Sequence, residues 1–224
     1  MTVPFLSRRD LRRRGWHEWR TGAAQLLTPR RRLVLAVTGV VAGSAAALGT
    51  DRLLSRFDDL DWSTASRVFV AVTAASMAVA FVVLVAVGVW LRRDRRSLAP
   101  VSWRDDRLVV DYSSESAPEL SATLAPRLLA SARKQRLGLV GALTISLGTT
   151  AAFTVGLVGV VVIAIVEGFP GFGFAGALLS ILSLPFTTAA SLEGLGRAAV
   201  ALDLAEAHPA AKEAAVAPAA PRRP

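Results

Sequence analysis

No cysteine occurs among the 224 residues of the chain. Disulfides and thiolate metal centres are therefore excluded, and the sequence carries no mark of a redox compartment. Histidine is nearly as scarce. His17 and His208 are the only two, and both lie outside every long apolar run. No glycine-rich phosphate loop and no HExxH motif is present. The most informative shortage is of charge within long stretches. Asp, Glu, Lys and Arg make up 19% of the chain, yet they gather in blocks, and the segments between the blocks hold none.

Those uncharged segments set the fold class. The chain is 53% hydrophobic, and a run of about 18 or more apolar residues can cross a hydrocarbon core of about 30 Å. Helices of soluble domains are usually shorter and amphipathic. Four spans are expected. Leu33–Gly49 is short and rich in small residues, with insertion worth roughly −2 to −4 kcal/mol from its Val and Leu side chains. Val68–Leu91 is the strongest, at roughly −4 to −8 kcal/mol on the same scale. Leu137–Val166 is long for a single crossing, which favours tilt or extension beyond the core. Gly171–Leu192 completes a second helix pair, after a turn at Glu167-Gly-Phe-Pro170.

The expected fold is thus an all-α membrane protein, a four-helix transmembrane bundle with a cytoplasmic connection that includes a short β-hairpin. Its organisation reads as a basic N-terminal segment (1–32), a first transmembrane pair (33–91), the connection (92–136), a second pair (137–192), and a cytoplasmic helix with an Ala/Pro-rich tail (193–224). In the connection, Val101-Ser-Trp103 and Leu108–Tyr112 flank Arg104-Asp-Asp-Arg107 and suggest the hairpin. Pro118–Arg136 reads as a helix that Pro126 should end or kink. From His208-Pro209 onward the tail reads as disordered.

Lys and Arg fix the orientation. Residues 1–32 hold nine, 92–136 ten and the segment after the fourth span four, against three in 50–67 and none in 167–170. Four crossings put the three rich segments on one side, which the positive-inside rule makes cytoplasmic. The expected location is a cell membrane, multi-pass, with both termini inside; the Ala-, Arg- and Val-heavy composition suggests a bacterial source. The net charge of +9 follows from these flanks, so no nucleic-acid partner is expected. In residues 1–32, Trp16 and Trp19 interleave with arginines, a pattern suited either to anionic headgroups of a lipid bilayer or to a disordered flank.

Ser7-Arg8-Arg9-Asp10-Leu11 resembles a twin-arginine export motif, with Ala45-Ala-Ala47 as a small-residue cleavage site. About 20 residues separate the arginine pair from the apolar run, a larger gap than such signals show. Leu11 and Arg13 also stand where the motif has Phe and Lys.

Within the spans, two kinds of pattern could carry function. Gly39, Gly43 and Ala47 in the first span, and Gly148, Ala152 and Gly156 in the third, are small residues four apart that let helix backbones approach. They suit packing within one bundle, a homo-oligomer or a membrane-protein partner. Hydroxyl stripes run along the third span (Ser146, Thr150, Thr154) and the fourth (Ser180, Ser183, Thr187, Ser191). They could line a polar path, with Pro185 as a hinge, or could bond within and between helices. The carboxylates Asp105, Asp106 and Asp111 are bracketed by Arg104 and Arg107, which suits a solvated turn better than catalysis. No catalytic residue, metal ligand or cofactor is expected. The leading expectation is a non-enzymatic accessory or scaffold subunit; the alternative is a transporter or channel component with a hydroxyl-lined path.

Overall fold

The computed structural model describes residues 6–56, 64–96, 98, 101–102, 105–114, 119–167 and 174–211. Side chains are described for all of these but 65–66, 155–156, 159–167 and 174–186. The described chain is all-helical, with no strand among the described residues.

Helix α1 spans Arg8–Leu26. Ser7 caps it: its hydroxyl accepts from the Asp10 N–H (3.2 Å) and donates to the Asp10 carboxylate (2.6 Å). This satisfies a backbone donor that the first helical turn cannot. Helix α2, Pro29–Leu54, starts only three residues after α1 ends. Thr28 is its N-cap and accepts from the Arg31 N–H at 3.4 Å; Pro29 fits the first helical position because no hydrogen bond is lost there. Guanidinium groups satisfy the carbonyls left at the end of α1. Arg31 donates to Leu26 O at 3.0 Å and Arg32 to Leu27 O at 2.8 Å.

Helix α3 spans Thr64–Arg95 and α4 spans Asp105–Tyr112. The second strand expected of the hairpin, Leu108–Tyr112, is therefore helical. Asp105 and Asp106 occupy the first turn of α4, where carboxylates favour a helix start, and Asp105 accepts from the Ser102 N–H at 3.2 Å. Val109 and Tyr112, three apart, are both buried, so the pattern has helical period. Trp103 and Arg104, part of the expected turn, lie outside the described residues.

Helix α5 runs unbroken from Ala125 to Glu167, 43 residues, or about 64 Å at 1.5 Å per residue. The helix runs without a break through 136/137, where the connection was expected to give way to the third span. Leu128, Leu129, Ala132, Val140 and Leu143 are all buried, one stripe that continues past the charged Arg133–Arg136. Pro126 lies in the first turn and opens the helix instead of kinking it. Helix α6 spans Phe174–Ala207 and continues beyond the fourth apolar segment, as the sequence implies. The expected disorder does not begin at His208, because Ala211 is buried in a core. The turn expected at 167–170 falls, after Glu167, outside the described residues, as does the tail from 212.

Three described stretches, Pro29–Leu54, Arg67–Arg95 and Ala125–Thr154, are long and apolar enough to cross a membrane. The apolar part of α6 falls where side chains are not described. The chain divides into two compact units. One comprises Met1–Ala23, Leu91–Ala142 and Ala189–Pro224; the other comprises Ala24–Trp90 and Leu143–Thr188.

The second unit wears its apolar side chains outward. Val40 is 69% and Phe81 65% exposed, with Val37, Leu48, Met77 and Val89 more than half exposed as well. In water each would forgo about 1.5–3 kcal/mol of burial. Lipid removes that penalty, and the helices satisfy their own backbone polar groups. These apolar helices are those of a membrane-inserted protein. The first unit has a conventional core of Val109, Tyr112, Ala125, Leu128, Leu129, Ala132, Ala198, Ala201, Ala205 and Ala211. The alanines of α6 sit against the leucines of α5, small against large, which gives the interdigitation of a dense interior.

Candidate functional site

The small-residue positions of the second unit mark close helix contacts. Gly39 and Gly43 are buried. A Cβ built on Gly43 would lie 3.3 Å from a Val79 methyl and 3.7 Å from the Ala75 carbonyl oxygen; one on Gly39 would lie 3.9 Å from Val79. The α2 glycine face therefore packs on α3 of the same chain. Ala47 is half-buried. On α5, a Cβ on Gly148 would lie 2.8 Å from a Val83 methyl, so this glycine also faces α3. Ala152 is half-buried, and Gly156 lies where only the backbone is described.

The hydroxyl stripes are less coherent. Ser146 and Thr150 are half-buried and Thr154 is exposed. The neighbouring Thr149 turns its hydroxyl back to the carbonyls of Ile145 (2.9 Å) and Ser146 (3.1 Å), a local bond that helix hydroxyls commonly make. In α6, Thr187 is exposed and Ser191 half-buried. The side chains of Ser180, Ser183 and Pro185 lie outside the described set, and the helix assignment continues through Pro185.

The first unit holds contacts that residue spacing alone missed. A Cβ on Gly15 would fall on the carbonyl oxygen of Leu192, and one on Gly196 would fall on that of Leu11. Helices α1 and α6 therefore meet backbone to backbone, glycine opposite glycine. Glycine within a helix costs about 0.5–1 kcal/mol relative to alanine, so Gly15 in a basic helix and Gly196 in an alanine-rich one were signals of close approach. Gly22 packs likewise on α5, where its Cβ would lie 2.7 Å from Val140.

Ion pairs surround these crossings. Arg136 bonds Glu18 at 2.8 Å, Arg14 pairs with Asp203, and Arg133 pairs with Glu206 at 3.3 Å. Glu193 holds Arg197 at 2.7 Å, one turn away on α6, and lies 3.9 Å from Arg12. Asp106 receives the Ser131 hydroxyl at 3.3 Å and faces Lys134 at 3.5 Å, while Gln135 donates to the Asp106 carbonyl at 2.7 Å. The carboxylates of α4 thus join that helix to α5 and cap its start. Among the described residues, no three His, Asp or Glu side chains gather as a metal site.

No protein-family model, curated protein or solved structure matches this chain. The arrangement itself is a set of helices held by glycine approaches, an alanine–leucine core and cross-helix ion pairs.

Proposed function

We propose that this chain is a four-span protein of a cell membrane, with both termini and the 92–136 connection in the cytoplasm, that acts as a non-enzymatic accessory or scaffold subunit. The observation that carries the reading is the make-up of the first unit. Segments 1–23, 91–142 and 189–224 belong to one compact body, with a polar surface and a core of its own. A body exposed to water on one side of a membrane requires an even number of crossings in each stretch of chain between its parts. Residues 24–90 supply α2 and α3. Residues 143–188 supply the apolar ends of α5 and α6. That parity favours four crossings, and the Lys and Arg excess of the three segments favours the cytoplasmic side.

The scaffold part rests on what the polar groups do. Glu18, Asp106, Glu193, Asp203 and Glu206 each join elements or turns through Arg or Lys. Such pairs fix a shape on which a membrane partner or a second copy can dock. Purification in mild detergent, with mass-spectrometric identification and stoichiometry of what co-migrates, tests this. A stoichiometric membrane partner or homo-oligomer is the expected result. A monomer without partner in both detergent and native nanodiscs would overturn it.

One observation favours a second reading, a hydroxyl-lined path in a transporter or channel component. The Thr188 hydroxyl oxygen, next to Thr187 in α6, is buried without a hydrogen-bond partner among the described residues. Buried hydroxyls generally find a partner, and a hydrated path would supply one. Solute-flux assays in proteoliposomes separate this reading from the first.

A further inference from the structure

Helix α1 has two unlike flanks, and its ion pairs orient them. Arg12 reaches toward Glu193 and Arg14 pairs with Asp203. These carboxylates are ten residues apart on α6, about 15 Å along its axis. Residue 193 adjoins the apolar part of α6, and residue 203 lies farther from it. Helix α1 therefore crosses α6 steeply, with its Arg12 flank turned toward the end that enters the apolar segment. On α5, Glu18 meets Arg136 and Gly22 meets Val140, one turn apart on both helices.

At about 100° per residue, Arg8, Arg9, Arg12, Trp16, Trp19, Arg20 and Ala23 fall within about 120° of one another on the Arg12 flank. The opposite flank carries Asp10, Arg14, His17, Thr21 and Gln25, and Arg13 lies between the two at the outer edge. Trp16 is 43% exposed and its ring lies 4.8 Å from that of Trp19. Arg8, Arg9 and Arg20 are exposed and make no ion pair among the described residues. Only Leu27 and Thr28 separate α1 from α2, whose uncharged run begins at Leu33.

We propose that α1 is an interfacial helix whose Arg8, Arg9, Arg12, Trp16, Trp19 and Arg20 flank binds the anionic phospholipid headgroups of the leaflet that α2 enters. The proposal rests on the membrane reading above. Indole rings prefer the headgroup level, and basic residues there are drawn to anionic lipid. An acidic protein surface would satisfy the guanidinium groups equally. The two-residue link from α1 to α2, whose uncharged run begins at Leu33, favours lipid.

The chain has no cysteine, so single-cysteine variants of the full chain report directly. Trp16→Cys and His17→Cys compare the two flanks. Ala23→Cys and Thr21→Cys repeat the comparison with both indoles in place. Each is placed in nanodiscs of phosphatidylcholine alone or mixed equally with phosphatidylglycerol, and its reaction with a membrane-impermeant maleimide is timed. In the mixed nanodiscs, positions 16 and 23 are expected to react roughly tenfold more slowly than 17 and 21. That ratio should shrink in phosphatidylcholine alone and on adding Arg9→Gln with Arg20→Gln. Equal rates on the two flanks would overturn the proposal, as would a difference indifferent to phosphatidylglycerol and to both arginine substitutions, the result expected if protein covers the flank. Val40→Cys separates this from the membrane reading itself. Rapid labelling at position 40 overturns the membrane reading, whereas slow labelling there with equal flanks overturns only the role of α1.

Discussion

The guanidinium of Arg31 lies 5.3 Å from the ring centroid of Trp90, while the same side chain donates to the Leu26 carbonyl. One arginine thus joins the start of α2, the end of α1 and the end of the apolar run of α3. A cation over an indole is worth about 0.5–2 kcal/mol, depending on desolvation. Trp90→Leu, which keeps apolar bulk, should lower the unfolding midpoint by about 2–4 °C. Arg31→Lys should lower it by less, since the charge remains. Scanning calorimetry in nanodiscs reads both, and a Trp90→Leu midpoint equal to the parent's would show that the stacking contributes nothing.

The glycine crossing of the first unit leads to an asymmetric set of substitutions. Gly15→Ala and Gly196→Ala each place a methyl on a backbone carbonyl, which cannot rotate aside as a side chain could. Each should cost about 1–3 kcal/mol through forced separation of α1 from α6. Gly49→Ala meets nothing within 4 Å and should be neutral or favourable by up to about 1 kcal/mol from helix propensity. Thermal unfolding followed by intrinsic fluorescence in detergent orders the three variants.

Ion pairs of unequal exposure should differ in strength. Glu18 and Arg136 are 23% and 30% exposed at the side chain, whereas Glu206 and Arg133 are 56% and 48% exposed. Solvent screening weakens the second pair more. Double-mutant cycles with Gln at each position should give a coupling of about 1 kcal/mol for Glu18–Arg136 and about 0.3 kcal/mol or less for Arg133–Glu206. Raising the salt concentration should shrink both. Comparable couplings would mean that exposure does not govern these contacts.

The proposed four-span topology makes a labelling prediction of its own. In intact cells, Asp51→Cys should react with an impermeant maleimide, whereas Arg107→Cys and Ala207→Cys should react only after permeabilisation. Labelling of positions 51 and 107 from the same side would break the parity on which the topology rests.

What the sequence made legible follows from physics that acts locally. Apolar runs of bilayer length and their arginine flanks depend on residues close in the chain. Gly39 and Gly43 were recognisable as a contact face, although their partner on α3 was not. Leu108–Tyr112 was misread because five residues of mixed polarity fit either period, and the deciding fact, the burial of Val109 and Tyr112 against α5 and α6, is tertiary. Charge ends at Arg136, which marks the start of the apolar span, but α5 runs through it because a helix senses backbone bonding and not the polarity of its surroundings. The assembly of residues 1–23 with α5 and α6 was invisible, because Gly15, Glu18 and Gly22 show their purpose only opposite Gly196, Arg136 and Val140.

The pairing of Arg14 with Asp203 spans 189 residues of sequence, and Gly15 waits on Gly196 over a similar distance. During synthesis α1 leaves the ribosome before α2 to α6, yet its seat does not exist until α6 has followed. For most of translation the glycine face and its flanking charges stay open, a delay that contacts of such long range impose on folding. The earliest made of these six helices is therefore among the last to be placed, and the first unit closes only after the apolar segments between its parts have been made.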